Sequence, residues 1–342
     1  MLRFTGDICY TENYFDIGFG VGSSIKKGLD VYGKVNKRPE DVWIGNFEGV
    51  CSDVSHHRDY HVKCFRIEPA FLDHIKLIDY YAIANNHVME HGDDAYCQMQ
   101  QVLNEKTKGC FGSKTKKSVV FEHGGKKVAV TAFSLRDDQC KEKPLYWSFP
   151  EQSEIAEEYN SLCADIKVAY IHWGVEFISY PSVDQVRLAH WMIDLGYDLI
   201  IGMHPHVMQG YEVYKGKHIF YSLGNFLFNM SYEPSKYSAV VGMDVQTGEV
   251  TYDYVKIGDD NCPEYIDEKD VPSAYSFKSL NSLLNRIQNP EDYIAQAKKG
   301  LKAYRKVLHR SFIKNIWKND IKVLCAIVVD FMKRRFGYGN HN

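Results

Sequence analysis

The sequence predicts an α/β domain, because short apolar runs alternate with helical patterns along most of its 342 residues. The apolar runs are rich in Val, Ile and Tyr, which is typical of buried strands. The segments between them carry apolar residues at helical spacing and often begin with Pro or Ser. Several runs also end in a polar residue that can bind a ligand. Since ligands of open α/β sheets gather beyond the carboxyl ends of strands, these residues predict one shared site.

Five predicted strands end in this way. In chain order they are residues 2–6 before Asp7, 42–45 before Asn46 and Glu48, 80–84 before Asn86 and His87, 166–171 before His172, and 198–203 before His204 and His206. One such coincidence carries little weight, because a polar residue after a strand usually belongs to a turn. Five together favour a functional site.

The helical patterns that separate these strands cover residues 69–78, 93–103, 150–163 and 181–195. The last of them begins with Pro181 and Ser182 and stops at Gly196, as start and stop signals require. Beyond His206 the pattern is more purely β, with strands predicted at 211–214, 218–223, 238–245 and 249–257.

Three regions are predicted from this order. Residues 1–258 form a catalytic domain, residues 259–278 a polar linker or covering loop, and residues 279–342 a basic helical C-terminal extension. From Lys298 to Asn342 the extension has 12 Lys or Arg, two Asp and no Glu. Its apolar residues, among them Trp317 and Phe331, fall near helical spacing. We expect either peripheral contact with an anionic membrane surface or packing on the domain with lysine stems along apolar surface.

Composition excludes some classes. With 41 basic and 44 acidic residues the net charge is −3, which gives no electrostatic argument for nucleic acid binding. Nine widely spaced cysteines without a CxxC pair favour neither a disulfide framework nor a structural zinc site. The N-terminus lacks the pattern of a signal peptide, and the late apolar run 323–329 is far shorter than the ~20 residues of a membrane span. We therefore expect the protein to be cytoplasmic, either free or peripheral to the inner face of the membrane.

The residue types at the strand ends point to metal chemistry. Two divalent ions held close together need carboxylates, imidazoles and often an amide oxygen, and the strand ends offer all three. Pro205 between His204 and His206 predicts an extended segment that holds both rings near one point. The sequence thus predicts a metal-dependent hydrolase with one or two ions, of Mn, Zn or Fe. The predicted ligands are Asp7, Glu48, Asn86, His172, His204 and His206.

Six short motifs occur in the order seen in CapA-type proteins of capsule and poly-γ-glutamate biosynthesis, and the chain resembles that family over about residues 1–245. The motifs are Gly6-Asp7, Asn46-Phe47-Glu48, Ala84-Asn85-Asn86-His87 with Gly92, His172-Trp173-Gly174-Val175-Glu176, Gly202-Met203-His204-Pro205-His206 and Ser222-Leu223-Gly224-Asn225-Phe226. The family is in turn similar to the calcineurin-like metallophosphoesterases. The resemblance implies a two-sheet β-sandwich flanked by helices (αββα).

The resemblance also implies individual roles. Asp7 matches the first metal-binding Asp, and Glu48 stands where a bridging carboxylate is expected, with Asn46 beside it. Asn86 resembles the metal-binding Asn of the Asn-His motif, and His87 resembles the proton donor to the leaving group.

On the same basis, His172 and His204 look like ligands of one ion and His206 like a ligand of the other. Three departures leave the number and identity of the ions open. Cys9 stands where a phosphoesterase has the His of Asp-x-His, and the carboxylate spacing around Glu48 is not the usual Gly-Asp-x-x-Asp. Glu90 and His91 stand where the CapA pattern has Asp and an aromatic residue.

Three residues are predicted to contact substrate. Arg66 suits an anionic group because a guanidinium binds carboxylate or phosphate bidentately, although a surface salt bridge is the ordinary alternative. Asn46 and Glu176 lie beside predicted ligands. The predicted function is hydrolysis of an anionic small molecule or polymer, such as a phosphoester or a cell-envelope polymer. The alternative is a non-catalytic accessory protein that holds a polymer during capsule or polyglutamate assembly.

Overall fold

The computed structural model describes residues 1–11, 21–56, 65–138, 140–284, 290–314 and 316–318, with scattered positions between 321 and 332. The strands are β1 (Leu2–Ile8), β2 (Val42–Phe47), β3 (Val50–Cys51), β4 (Arg66–Ile67), β5 (Tyr80–Ala82), β6 (Gly109–Phe111), β7 (Ser118–His123), β8 (Lys126–Ser134), β9 (Ile166–His172), β10 (Leu199–Met203), β11 (Tyr211–Tyr214), β12 (Lys217–Phe220), β13 (Asn225–Leu227), β14 (Tyr237–Met243), β15 (Val250–Ile257) and β16 (Pro263–Ile266). The α-helices are α1 (Val21–Lys26), α2 (Gly92–Lys106), α3 (Gln152–Ser161), α4 (Val183–Leu195), α5 (Phe277–Leu283) and α6 (Pro290–Lys314).

The strands form two large sheets. Sheet A has the order β16-β15-β14-β1-β2-β5-β6, with β13 also paired to β1, and sheet B has the order β11-β12-β10-β9-β8-β7. Within sheet A the run β1-β2-β5-β6 is parallel, and within sheet B the run β12-β10-β9-β8 is parallel. Each parallel run therefore directs several strand ends to one edge of its sheet.

The two sheets pack against each other and are covered by helices. The Phe4 ring of β1 lies 6.1 Å from the Tyr170 ring of β9, and the Tyr170 hydroxyl donates to the Thr5 carbonyl across the interface (2.6 Å). Met99 of α2 belongs to this central core, whereas Met192 of α4 packs on the outer face of sheet B. The two-sheet sandwich flanked by helices is thus confirmed.

Most predicted elements are present, but one helix is not. Residues 69–78 were expected to be helical, and the structure has only a 3-10 helix, Pro69–His74, after which Ile75 is extended (φ −119°, ψ 93°). Leu72 and Ile75 are buried, so packing on the core explains their apolar character without a longer helix. In contrast, α4 begins and ends as predicted, with Ser182 as N-cap and Gly196 (φ +124°) as C-cap.

Residues 259–278, predicted as a linker or covering loop, contain an edge strand. β16 pairs antiparallel with β15 and extends sheet A. The same stretch includes the 3-10 helices Glu268–Asp270 and Ser273–Tyr275, and it ends in α5, whose Phe277 is buried in the central core. A four-residue edge strand with only one packed face leaves a weak alternation in the sequence.

The middle of α6 packs on the sandwich. Tyr304 is buried, and its ring is stacked on Phe177 with 4.4 Å between centroids. Further along, Ile313 and Trp317 are 68% and 77% exposed, while Phe331 lies outside the described residues. Among the helices that the structure describes, none combines the length and apolar character needed to cross a membrane. The domain boundaries given above stay predictions.

Candidate metal centre

Strand register brings the predicted ligands to one edge of the sandwich. Asp7 of β1 is the Cα partner of Asn46 of β2, and Met203 of β10 is the partner of His172 of β9. His204 and Glu48 directly follow β10 and β2. Because the two sheets pack face to face, these four strand ends meet across the interface.

A close backbone contact that only glycine permits fixes the position of Asp7. A Cβ on Gly6 would lie 1.8 Å from the carbonyl oxygen of Gly224, so no other residue fits there. The Asp7 amide donates to that same carbonyl (3.0 Å), and Asn225 pairs with Asp7 in register. The segment before β13 thereby holds the backbone at Asp7.

The first group of donor atoms contains Glu48, His172 and His204. One ligating atom of each lies within 4.8 Å of the others, and all three residues are buried. Nε2 of His172 is 2.8 Å from Oδ1 of Asn86 and 3.1 Å from Nδ1 of His204. Four predicted ligands therefore converge on one point.

The second group contains Asp7, Glu48 and His206, again with ligating atoms within 4.8 Å of one another. His206 donates from Nδ1 to Oδ1 of Asn225 (3.0 Å), which directs its Nε2 toward Glu48, 3.7 Å from Oε1. Glu48 belongs to both groups. A carboxylate in that position can bridge two ions.

The segment 204–206 is not extended, contrary to the prediction. His204 and His206 have φ values of +96° and +57°, a region that costs a non-glycine residue about 1–3 kcal/mol. Two contacts hold the kinked backbone: the His204 amide donates to Oδ2 of Asp7 (3.0 Å), and the Phe177 amide donates to the Pro205 carbonyl (2.8 Å). The centroids of the two rings lie 5.7 Å apart, so the rings are close together as expected. A strained backbone holds them there, not an extended one.

Burial controls the charges of the centre. It raises the pKa of Asp7 to about 6, against the opposing effect of the hydrogen bond from Asn46. Burial also lowers the pKa of His172 and His204 well below 6.5, so both imidazoles are neutral near pH 7. Neutral imidazoles are the form that binds metal ions.

This donor set fits a pair of divalent cations. It combines two carboxylates, an amide oxygen and three imidazoles, the oxygen and nitrogen donors suited to Mn, Zn or Fe. Asp7 forms no ion pair with a lysine or arginine among the described residues; Nδ1 of His172 and Nδ1 of His206 each lie 3.7 Å from one of its carboxylate oxygens. Cations bound between Asp7 and Glu48 would offset the cost of burying those carboxylates.

His87 lies beside this donor set in a pair with Glu90. Its Nδ1 donates to Oε1 of Glu90 (2.5 Å), and its Nε2 is 3.6 Å from Oε1 of Glu48. Oε2 of Glu90 accepts from the Phe65 amide (2.5 Å), so the carboxylate is held from both sides. Glu90 therefore orients His87 with Nε2 toward the centre. Sequence reasoning noted Glu90 only as a departure, although its i,i+3 spacing from His87 was a usable signal.

Asn46 is hydrogen-bonded to a predicted ligand, and its predicted contact with substrate stays a prediction. Its Nδ2 donates to Oδ1 of Asp7 (2.8 Å), and its Oδ1 accepts from Nδ2 of Asn85 (3.0 Å). The backbone carbonyl of Phe47 accepts a second hydrogen bond from Asn85 (2.7 Å). Asn46 and Asn85 thus form a buried amide chain that holds Asp7.

The structure does not bring three other noted residues into the donor groups. Arg66 donates from Nη1 to the Ser52 carbonyl (2.7 Å) and has Glu68 3.7 Å from Nη2. Glu176 is partly exposed in the segment after β9. Cys9 is buried in a small apolar cluster and belongs to neither donor group. Substrate contact by Arg66 and Glu176 stays a prediction.

Most of this sandwich is similar in sequence to a known protein family. Residues 2–230 match the model of a family described as "Bacterial capsule synthesis protein PGA_cap". The chain belongs to this PGA_cap family. The expected relationship to CapA-type proteins is thereby confirmed.

The chain is also similar to the "Capsule biosynthesis protein CapA" of Bacillus anthracis, which is 35% identical over 173 residues, 46% of this chain and 42% of that protein. A "Probable polyglutamine synthesis accessory protein" of Mycobacterium tuberculosis is 22% identical over 208 residues, 54% of this chain and 55% of that protein. The chain thus spans about half the length of these curated relatives. The chain is also similar to the crystal structure of a phosphatase from Mycoplasma pneumoniae, with a TM-score of 0.47 and 14% sequence identity. The similarity covers 75% of this chain and 92% of that one.

Proposed function

We propose that this PGA_cap protein is a metal-dependent hydrolase of an anionic substrate in the biosynthesis of capsule, polyglutamate or another cell-envelope polymer. The observation that carries the proposal is the pair of buried donor groups that share Glu48, with His87 directed at them by Glu90. A structural site would need only one closed shell of ligands, whereas this arrangement adds an oriented acid–base residue.

Each residue has a defined part in this proposal. Glu48, His172, His204 and Asn86 would hold one ion, and Asp7, Glu48 and His206 the other, of Mn, Zn or Fe. When bound, such ions supply positive charge for a developing oxyanion and make water acidic enough to serve as a nucleophile. The ligands are Asp7, Glu48, Asn86, His172, His204 and His206, the set proposed from the sequence.

His87 supplies the proton chemistry. Its Nδ1–H is held by Glu90, so Nε2 is the atom that faces the centre and gives a proton to the leaving group. The carboxylate partner stabilises the imidazolium that precedes this transfer. Phosphoester and γ-glutamyl amide bonds are both compatible with such a donor, since each releases a basic leaving group.

The direct test is hydrolysis by the purified protein with Mn²⁺ or Zn²⁺. We expect release of product from aryl phosphates or from γ-glutamyl polymers, lost in His87→Ala and in His204→Ala. His190→Ala is the matched control, because His190 also pairs with a glutamate, Glu212 (2.7 Å), but on the outer side of sheet B. Turnover that survives in both site variants would refute the hydrolase proposal.

A non-catalytic role is the second candidate, favoured by the word "accessory" in the name of the mycobacterial relative. In this case the fold would hold a polymer or a partner enzyme and would need no ions. Metal analysis separates the two candidates. A preparation that binds no divalent metal, together with wild-type and Asp7→Asn proteins whose stabilities do not change when Mn²⁺ is added, supports the accessory role.

We also propose that the C-terminal extension contacts an anionic membrane surface from the cytoplasmic side. Large apolar side chains are exposed there, among them Ile313, Trp317 and Ile321 at 68%, 77% and 70%. The surrounding segment is strongly basic. Flotation with phosphatidylglycerol liposomes tests this, and Trp317→Ser with Ile321→Ser should reduce it. Equal flotation of both proteins refutes the membrane contact.

A further inference from the structure

The segment that follows β8 places a cation at the edge of the donor groups. Ser134, the last residue of β8, is the Cα partner of His172. Two residues later, the Arg136 amide donates to Oγ of Ser134 (3.1 Å), which turns the chain at the strand end. Arg136 is therefore located at the same edge of sheet B as the ligands of β9 and β10.

The guanidinium of Arg136 is oriented by the backbone after β9. Nη1 donates to the Gly174 carbonyl (2.9 Å), and the side chain is partly exposed, unlike the buried ligands. Gly174 is the second residue after His172, so the guanidinium lies beside the segment that carries a predicted ligand.

The remaining donors of Arg136 have few partners. Its Nε is buried and makes no hydrogen bond to the residues that the structure describes. The arginine ion pairs in that part of the chain involve Arg3, Arg66 and Arg187 but not Arg136. In contrast, Arg66 already contacts the Ser52 carbonyl and Glu68.

We propose that Arg136 is the specificity-determining residue of the site and binds an oxyanion group of the substrate, a phosphate or a carboxylate. This inference rests on the proposed function and assigns the anion contact to Arg136 instead of Arg66. A cation at the partly exposed edge, outside the donor groups, attracts an anion where substrate enters and gives it a directional contact. The planar guanidinium matches the two oxygens of either anion.

The test measures anion binding separately from turnover. Inorganic phosphate and tri-γ-glutamate are titrated calorimetrically into Mn²⁺-loaded wild-type protein and into Arg136→Gln, Arg136→Lys, Arg66→Gln and Arg187→Gln. The Arg136→Gln side chain can still donate to the Gly174 carbonyl but has no charge. We expect it to weaken binding of the recognised anion about tenfold or more, the usual effect of losing a charge-assisted hydrogen bond. The affinity of Arg136→Lys should lie between those of wild type and Arg136→Gln. Arg187→Gln should bind the anion as tightly as wild type, because Arg187 is 77% exposed on α4.

The two anions distinguish a phosphate substrate from a polyglutamate one. Equal binding by wild type and Arg136→Gln, a larger effect in Arg66→Gln, or no binding of either anion by wild type would each overturn the inference. If no variant hydrolyses any substrate but anion binding still depends on Arg136, the hydrolase proposal fails and the anion site stands. If hydrolysis depends on His87 but anion binding does not depend on Arg136, the hydrolase proposal stands and the anion site at Arg136 fails.

Discussion

Replacing Asp7 with asparagine should change how the stability of the metal-free protein depends on pH. Burial raises the pKa of Asp7 in the folded protein to about 6, from an ordinary value of 3.8. A raised folded pKa means that the folded state binds the proton more tightly than the unfolded state. The carboxyl therefore favours folding when protonated, and this contribution is lost as the pH rises through about 6.

The size follows from the two pKa values. Between pH 7 and pH 5 the free energy of unfolding of wild type should rise by about 1.3 kcal/mol relative to Asp7→Asn. The histidines are common to both proteins, and the altered hydrogen bonds of the substituted amide are common to both pH values, so they cancel in this comparison. A constant offset is expected, because the new amide faces two donors, Asn46 and the His204 amide.

Urea unfolding in EDTA at pH 5, 6 and 7 measures the effect. The quantity compared is the free energy of unfolding of wild type minus that of Asp7→Asn. If this difference does not change with pH, or falls on acidification, the pKa of Asp7 is not raised by burial and the reasoning is refuted. Saturating Mn²⁺ should stabilise wild type further at pH 7, since an ion at about 100 times its Kd stabilises the folded state by about 2.7 kcal/mol. The Asp7→Asn variant should lose most of that gain.

Three further results are expected. Gly6→Ala should lower the free energy of unfolding by about 3 kcal/mol or more in urea titrations, because its Cβ would lie 1.8 Å from the Gly224 carbonyl oxygen. Glu90→Gln should lower kcat about tenfold or more without a matching change in KM, because an amide beside Nδ1 of His87 cannot stabilise its imidazolium. Tyr304→Ala should increase hydrogen exchange and proteolysis along α6, because its buried ring anchors that helix.

Each of these results has a matched control. Gly125→Ala, at φ +75° with open space around it, should cost only about 1 kcal/mol, and a similar loss in both glycine variants would contradict the close-approach argument. Glu212→Gln should leave kcat unchanged, since its histidine partner, His190, lies outside the centre. Tyr293→Phe keeps the ring that meets Tyr180 and should leave α6 protected.

Periodicity in the sequence is enough to predict most of the sandwich. Residues 166–171 and 198–203 are nearly continuous apolar runs because β9 and β10 are central parallel strands, covered on both faces. The 69–78 prediction failed because its apolar residues meet the core from an irregular segment, which spacing alone does not separate from a helix.

The site was predictable as a set of residues but not as a geometry. Asp7, His172 and their partners were identified because ligand-type residues follow successive strands. The kink at His204 and His206 requires contacts from Asp7 and Phe177 that are remote in sequence. Arg136 lacked any motif, since its position depends on the pairing of β8 with the strand that ends at His172.

The central claim is that Glu48 is shared by two metal sites. Anomalous diffraction from crystals of this protein grown with Mn²⁺ tests it most directly. We predict two anomalous peaks, one on each side of the Glu48 carboxylate, the first contacted by His172 and His204 and the second by Asp7 and His206. Ordered side chains with no anomalous density at Glu48, under Mn²⁺ concentrations that saturate known metal proteins, would contradict the account.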